Sequence, residues 1–129
     1  MSERPGTVLI VEDDLDLRDA LVEALHERGY AVLTASDGEE ALEVLEAVRP
    51  TVILLDLMMP RLDGYAFLAV RSDRADLAGI PVIVASAAPP TRPLSMSTFT
   101  EFLAKPYSTE SLVSAIERVC AVHRAIGPT

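Results

Sequence analysis

Short apolar runs alternate along the chain with stretches whose apolar residues recur every three or four positions. Thr7 to Val11 is a continuous apolar run of strand length. Leu17, Leu21, Ala24 and Leu25 then keep helical spacing, and Gly29 stops it. Ala31 to Ala35 predicts a second strand. After a Ser36-Asp37-Gly38 turn, Ala41, Leu42, Leu45 and Val48 predict a second helix, closed before Pro50. Val52 to Leu55 is the third strand, and a helix from about Gly64 or Tyr65 to about Arg71 presents Ala66, Phe67 and Val70. Pro81 to Ala85 and Phe102 to Ala104 are the fourth and fifth strands. Ser108 is placed to cap a final helix carrying Leu112, Val113, Ile116, Val119 and Cys120. Strands that are apolar throughout, alternating with helices over short connections, imply a doubly wound α/β fold: a five-stranded parallel sheet with helices on both faces.

The rhythm breaks once. Residues 86 to 101, SAAPPTRPLSMSTFTE, stand where a helix is due, yet Pro89, Pro90 and Pro93 favour extended backbone, and the Ser and Thr residues are poor helix formers. A shortened or irregular fourth helix is expected there. The 129 residues predict a single domain, 1–129, with a core from about 6 to 122 and loose tails at 1–6 and 125–129. A net charge of −9 repels phosphate backbones, so no nucleic acid is expected to bind this chain alone. No apolar run is long enough to span a membrane, the N-terminus lacks a secretion pattern, and the single Cys120 cannot form an internal disulfide. A cytoplasmic location is the expectation.

Candidate chemistry gathers at the strand ends. The first strand delivers Glu12 and Asp13, the third Asp56, the fourth Ser86, the fifth Lys105 with Pro106 behind it. In an open α/β sheet this edge carries the site. With strand order 2-1-3-4-5, the first and third strands lie roughly 5 Å apart, which crowds three carboxylates together. Such crowding is costly without a cation, and Mg²⁺, an oxygen-seeking ion that shares its shell with phosphate, suits it. Lys105 is long enough to cross the roughly 10 Å from the fifth strand to the third. A metal, a hydroxyl and an ammonium around one carboxylate fit phosphoryl transfer, with Asp56 as acceptor.

These motifs resemble the receiver domain of two-component response regulators, the CheY-like, flavodoxin-like (βα)5 fold. VEDD matches the acidic pair through Glu12 and Asp13. LLDLMMPRLDG matches the phosphoacceptor motif through Asp56. VIVASA supplies Ser86, and FLAKP supplies Lys105. The resemblance covers about residues 6 to 122. It implies that Asp56 takes phosphate from a histidine kinase or a phosphotransfer protein in a Mg²⁺-dependent reaction. It further implies metal oxygens from Asp13, Asp56 and the Met58 carbonyl, with Glu12 mostly through water. Ser86 and Phe102 would be the switch residues, Ser86 and Lys105 would hold the phosphate, and the Lys105-Pro106 bond would be cis. The partner downstream would be another protein, and the domain would not be an enzyme in its own right. One departure stands out: nineteen positions separate Ser86 from Lys105, fewer than the family pattern, and Thr98 and Phe99 replace its usual Gly-Ala.

Taken singly these residues say little, since strand-end acids commonly cap helices, as Asp14 is expected to. Their joint register carries the reading. Met58 and Met59 are expected to pack the loop, His26 and His123 to lie on the surface, Cys120 to sit inert in the core, and Glu39, Glu40, Glu43 and Glu46 to form a solvated helix face. A constitutive scaffold with the same fold is the alternative that the proline-rich segment raises. An aspartyl-phosphate hydrolase is disfavoured, because Met58 occupies the place of the second Asp found in haloacid-dehalogenase-type enzymes. Met58 and Ala88 cannot hold an attacking water, so slow self-dephosphorylation is expected.

Overall fold

A computed structural model describes residues 6–57, 63–87 and 101–126, without the side chains of 122–126. In chain order the elements are β1 (Thr7–Val11), α1 (Leu15–Glu27), β2 (Ala31–Ala35), α2 (Gly38–Ala47), β3 (Val52–Asp56), α3 (Gly64–Asp73), β4 (Val82–Ser86), β5 (Glu101–Ala104) and α4 (Thr109–Ile126). All five strands are parallel and ordered β2-β1-β3-β4-β5, as the alternation predicted.

The period-two geometry of a strand divides each apolar run between two cores. Val8 and Ile10 of β1, Val52 and Leu54 of β3 and Ile83 of β4 pack on one face against Leu21 and Leu25 of α1 and Leu112, Ile116 and Val119 of α4. Leu9, Val11, Ile53, Leu55, Val82 and Val84 point the other way, onto Ala41 and Leu45 of α2 and Phe67 and Leu68 of α3. β3 and β4 are buried from end to end, whereas β2 and β5 at the sheet edges are only half covered. Burial of each large apolar side chain contributes roughly 1.5–3 kcal/mol, so the two inner strands supply much of the stability and hold the sheet's carboxyl edge in place.

Short polar caps turn the chain from that edge into the helices. The carboxylates of Asp14, Asp37 and Asp63 accept the backbone N–H groups of Leu17, Glu40 and Ala66 at the starts of α1, α2 and α3. The Ser108 hydroxyl accepts the Ser111 N–H at 3.0 Å, as expected for a cap of α4. Each such cap stabilises by about 1 kcal/mol. Gly29, at φ 93°, takes the left-handed conformation that ends α1.

Several boundaries differ from the sequence-based expectation. α3 continues to Asp73, two residues past the expected end near Arg71, and the Arg71 side chain is buried. Its guanidinium donates to the carbonyls of Ile80 (2.6 Å) and Ala78 (2.9 Å), tying the helix to the loop that enters β4. β4 runs one residue later than expected and β5 starts at Glu101. Gly6, assigned to the tail, is held by its carbonyl, which accepts Ala31 N–H at 3.0 Å. Glu40 is not simply solvated: it is half buried and accepts the Ser36 N–H. Cys120 is buried in the α1–α4 core, outside any disulfide, and His26 is exposed. The loose tail expected at 125–129 is helical at 125–126, where α4 continues; the expectations for residues 88–100, for Met58, Met59 and Pro60, for the His123 side chain and for residues 1–5 and 127–129 fall outside the described residues. Among the described residues no helix is long and apolar enough to cross a membrane.

Candidate functional site

Strand order decides which polar residues meet. β1 and β3 are neighbours in the register Val11↔Leu55, so the next residues, Glu12 and Asp56, emerge side by side. With Asp13 they offer carboxylate oxygens that all lie within 4.8 Å of one another; Glu12 and Asp56 are buried and Asp13 is exposed. β5 lies beyond β4, two strand spacings or roughly 10 Å from β3. The Lys105 side chain crosses that gap, placing Nζ 3.0 Å from Glu12 Oε1 and 3.4 Å from Asp56 Oδ2. The second Glu12 oxygen accepts the Asp14 N–H at 3.2 Å. Ser86 is buried at the end of β4, and its carbonyl accepts the Lys105 N–H at 2.8 Å, which locks the β5 exit beside it. The Lys105-Pro106 peptide is cis, as the resemblance implied.

The fold therefore brings Glu12, Asp13, Asp56 and Lys105 together, with Ser86 on the same edge. Phe102 is set further back: it pairs with Val84 in register and its half-buried ring packs on the α2–α3 core. Met58 lies outside the described residues. Lys105 was expected to aim at Asp56, yet its shorter contact is to Glu12. Sequence reasoning also passed over Tyr107, whose place directly after Lys105-Pro106 was the available signal. Gly64, one of the two residues expected to open the third helix, does so, and it lies hard against the Asp56-Leu57 backbone, a close approach the sequence did not show. A Cβ there would stand 2.7 Å from the Asp56 carbonyl oxygen.

Burial and like charge set the protonation of this cluster. Removal from water pushes the Glu12 carboxyl above its ordinary range and the Asp56 charge adds to this, while the Lys105 ammonium and the Asp14 N–H pull the other way. For Lys105 burial would lower the pKa. The hydrogen bond to Glu12 and the Asp56 and Glu12 charges outweigh it, and the net shift is upward. Lys105 is thus a firm ammonium. Burial, then the Glu12 and Asp56 charges, raises Tyr107, which stays a neutral phenol.

The profile of the family described as response regulator receiver domain matches residues 8–117, from within β1 to within α4. The chain belongs to the response regulator receiver family. The probable transcriptional regulator ycf27 of Guillardia theta is 38% identical over 122 residues, 91% of this chain and 46% of that protein. The response regulator MprA of Mycolicibacterium vanbaalenii is 34% identical over 111 residues, 85% of this chain and 48% of that protein. The chain spans about half the length of the curated relatives it matches. A CheY-like response regulator receiver domain from Methanospirillum hungatei superposes with a TM-score of 0.84 at 27% identity, covering 94% of this chain and 98% of that one. This receiver domain is thereby placed in two-component signalling, and its acidic pocket is consistent with phosphorylation-dependent control.

Proposed function

We propose that Asp56 accepts a phosphoryl group from the phosphohistidine of a histidine kinase or phosphotransfer protein, and that the aspartyl phosphate changes which proteins the domain binds. The observation that carries this reading is the convergence of Lys105, from the end of β5, and Glu12 and Asp13, from the end of β1, on the buried Asp56 at the end of β3. An Asp56 oxygen forms a bond to phosphorus as the phosphorus–nitrogen bond breaks; the electron pair leaves with the imidazole, which takes a proton from water. Lys105 is within reach of the acceptor carboxylate, so its ammonium can balance charge on the phosphoryl oxygens. The donor set, three hard carboxylates in a tight group, fits Mg²⁺. Asp13 and Asp56 would hold it directly and Glu12 through water. When bound, the ion neutralises charge on the entering phosphoryl group.

The domain promotes its own phosphorylation and dephosphorylation and turns over no separate substrate. The buried Ser86 hydroxyl, at the end of β4, and the Phe102 ring, on the neighbouring strand, form the route by which the modified edge alters the surface. The working compartment is the cytoplasm, where a cysteine outside any disulfide, such as Cys120, stays reduced. The test is incubation with Mg²⁺ and acetyl phosphate, read by intact-protein mass spectrometry. One base-labile phosphoryl adduct is expected on the wild type and none on Asp56→Asn. Equal labelling of both proteins, or of neither, removes the proposal.

A further inference from the structure

We propose that Arg18 is a positioning residue for the acidic nest: it braces the β1–α1 turn against the β2–α2 turn, and so fixes where Asp13 stands. This rests on the metal-site reading above and adds to it a residue outside the nest. The geometry carries the argument. Arg18, near the start of α1, grips two turns at once. Its backbone N–H donates to the Asp14 carbonyl at 2.9 Å, and its half-buried guanidinium donates to the Ser36 hydroxyl at 2.8 Å. Ser36 is held from a second side, where its N–H donates to Glu40 Oε1 at 2.6 Å. Ala35, just before it, accepts the Glu12 N–H at 3.0 Å. The bonds close a circuit: Glu12 is tied to Ala35, Ser36 to Arg18, and Arg18 back to Asp14. Asp13 is exposed, and the backbone on both its sides belongs to that circuit. Charge and brace predict opposite signs for the loss of Arg18. A guanidinium on the same sheet edge as three carboxylates repels a second cation, so by Coulomb's law alone its removal would draw Mg²⁺ in more tightly. Removal of a brace frees a metal ligand to wander, and Mg²⁺ binds more weakly.

The experiment is a calorimetric Mg²⁺ titration of the full chain at fixed neutral pH and ionic strength, with Asp56 labelling by acetyl phosphate timed at saturating Mg²⁺. Arg18→Met and Ser36→Ala are each expected to weaken Mg²⁺ binding about tenfold, as loss of a group that orients a metal ligand does. Labelling at saturating Mg²⁺ should stay close to the wild-type rate. The double variant should bind no more weakly than the more affected single, since both changes remove one bond. Arg18→Lys keeps a donor and should recover part of the loss. Arg28→Met is the control: Arg28 is exposed and pairs with Glu110, so Mg²⁺ binding should match the wild type. Should Arg18→Met not fold, Ser36→Ala decides the matter, because it loses the bond and keeps the charge. Unchanged or tighter Mg²⁺ binding in Arg18→Met and Ser36→Ala, with Asp13→Asn weakened, overturns the brace and leaves the metal site standing. Slower labelling with unmoved Mg²⁺ affinity overturns it too, since general loosening of the fold would do that. Mg²⁺ binding that Asp13→Asn does not weaken, or none in the wild type, removes the metal site and the brace together.

Discussion

Gly64→Ala is the substitution that most directly joins the fold to the site. Gly64 opens α3, and its N–H donates to the Leu57 carbonyl at 3.0 Å. A Cβ on Gly64 would stand 2.6 Å from Leu57 Cα, 2.7 Å from the Asp56 carbonyl oxygen and 3.1 Å from Leu57 Cδ2. Carbon atoms in ordinary contact are about 3.5–4.0 Å apart, so the nearest contact falls short by about 1 Å. Backbone must supply that movement, and it is the backbone that carries Asp56. Overpacking of this kind costs about 1–3 kcal/mol, the upper end applying where no flexible side chain can yield. Against it, replacing glycine in a helix returns roughly 0.5–1 kcal/mol. The net expectation is a loss of about 1–2 kcal/mol. With a urea m-value of roughly 1–3 kcal/mol per M, the unfolding midpoint should fall by about 0.5–1 M with m unchanged. The rate of Asp56 labelling by acetyl phosphate should fall too, since the acceptor is displaced. Gly79→Ala is the control: nothing lies within 4 Å of a Cβ there, and its midpoint should stay at or slightly above that of the wild type. A Gly64→Ala midpoint equal to or above wild type, with labelling undiminished, refutes the close-approach argument.

Two further perturbations test other parts of the structure. Arg71→Met keeps the length of the side chain but strips the donors from the Ile80 and Ala78 carbonyls, and should cost about 2–3 kcal/mol in urea unfolding; a change within experimental error would show that water or backbone rearrangement replaces the guanidinium. The Tyr107 phenol is held above its ordinary value of 10.0, so the folded state binds a proton there more tightly than the unfolded chain. Its contribution is complete below pH 10.0 and is lost as pH climbs toward the raised value. Tyr107→Phe should therefore flatten the alkaline fall in stability above that pH, and parallel profiles for variant and wild type would count against the shift.

The fold was legible because its signals are redundant. Val8, Leu9, Ile10 and Val11 must be covered on both faces, and only helices on both sides of a parallel sheet do that. Asp14 and Ser108 capped the helices they were expected to cap because a short side chain bonding three residues ahead is a purely local event. The nest of Glu12, Asp13 and Asp56 followed from strand order alone. What escaped depends on reach and covering rather than on pattern. Arg71 marked only the approximate end of a helix, and its burial shows once the Ala78–Ile80 loop is seen offering carbonyls to its guanidinium. The Glu40 carboxylate lies among acids that face water, and only the return of Ser36 shows it accepting a backbone N–H. Lys105 could be sent across two strands by arithmetic, but its preference between two adjacent acids turns on tenths of an ångström.

That preference bears on how buried acids at a strand end are tolerated at all. Glu12 and Asp56 are both buried, and the Asp56 charge raises the cost of ionising Glu12. Neutralisation by protonation would leave a carboxylic acid, a poor nucleophile toward phosphorus. Burial of an ion pair is itself costly, and it is offset only when hydrogen bonds complete the remaining positions. Here they do so asymmetrically. Glu12 takes the closer ammonium contact and the Asp14 N–H, while Asp56 keeps the longer 3.4 Å contact. Asp56 faces the same ammonium at 3.4 Å, and a carboxylate beside a cation that can also balance charge on the entering group is suited to attack on phosphorus. The 93 positions that separate Glu12 from Lys105 make this a property of the closed sheet, absent from any local segment.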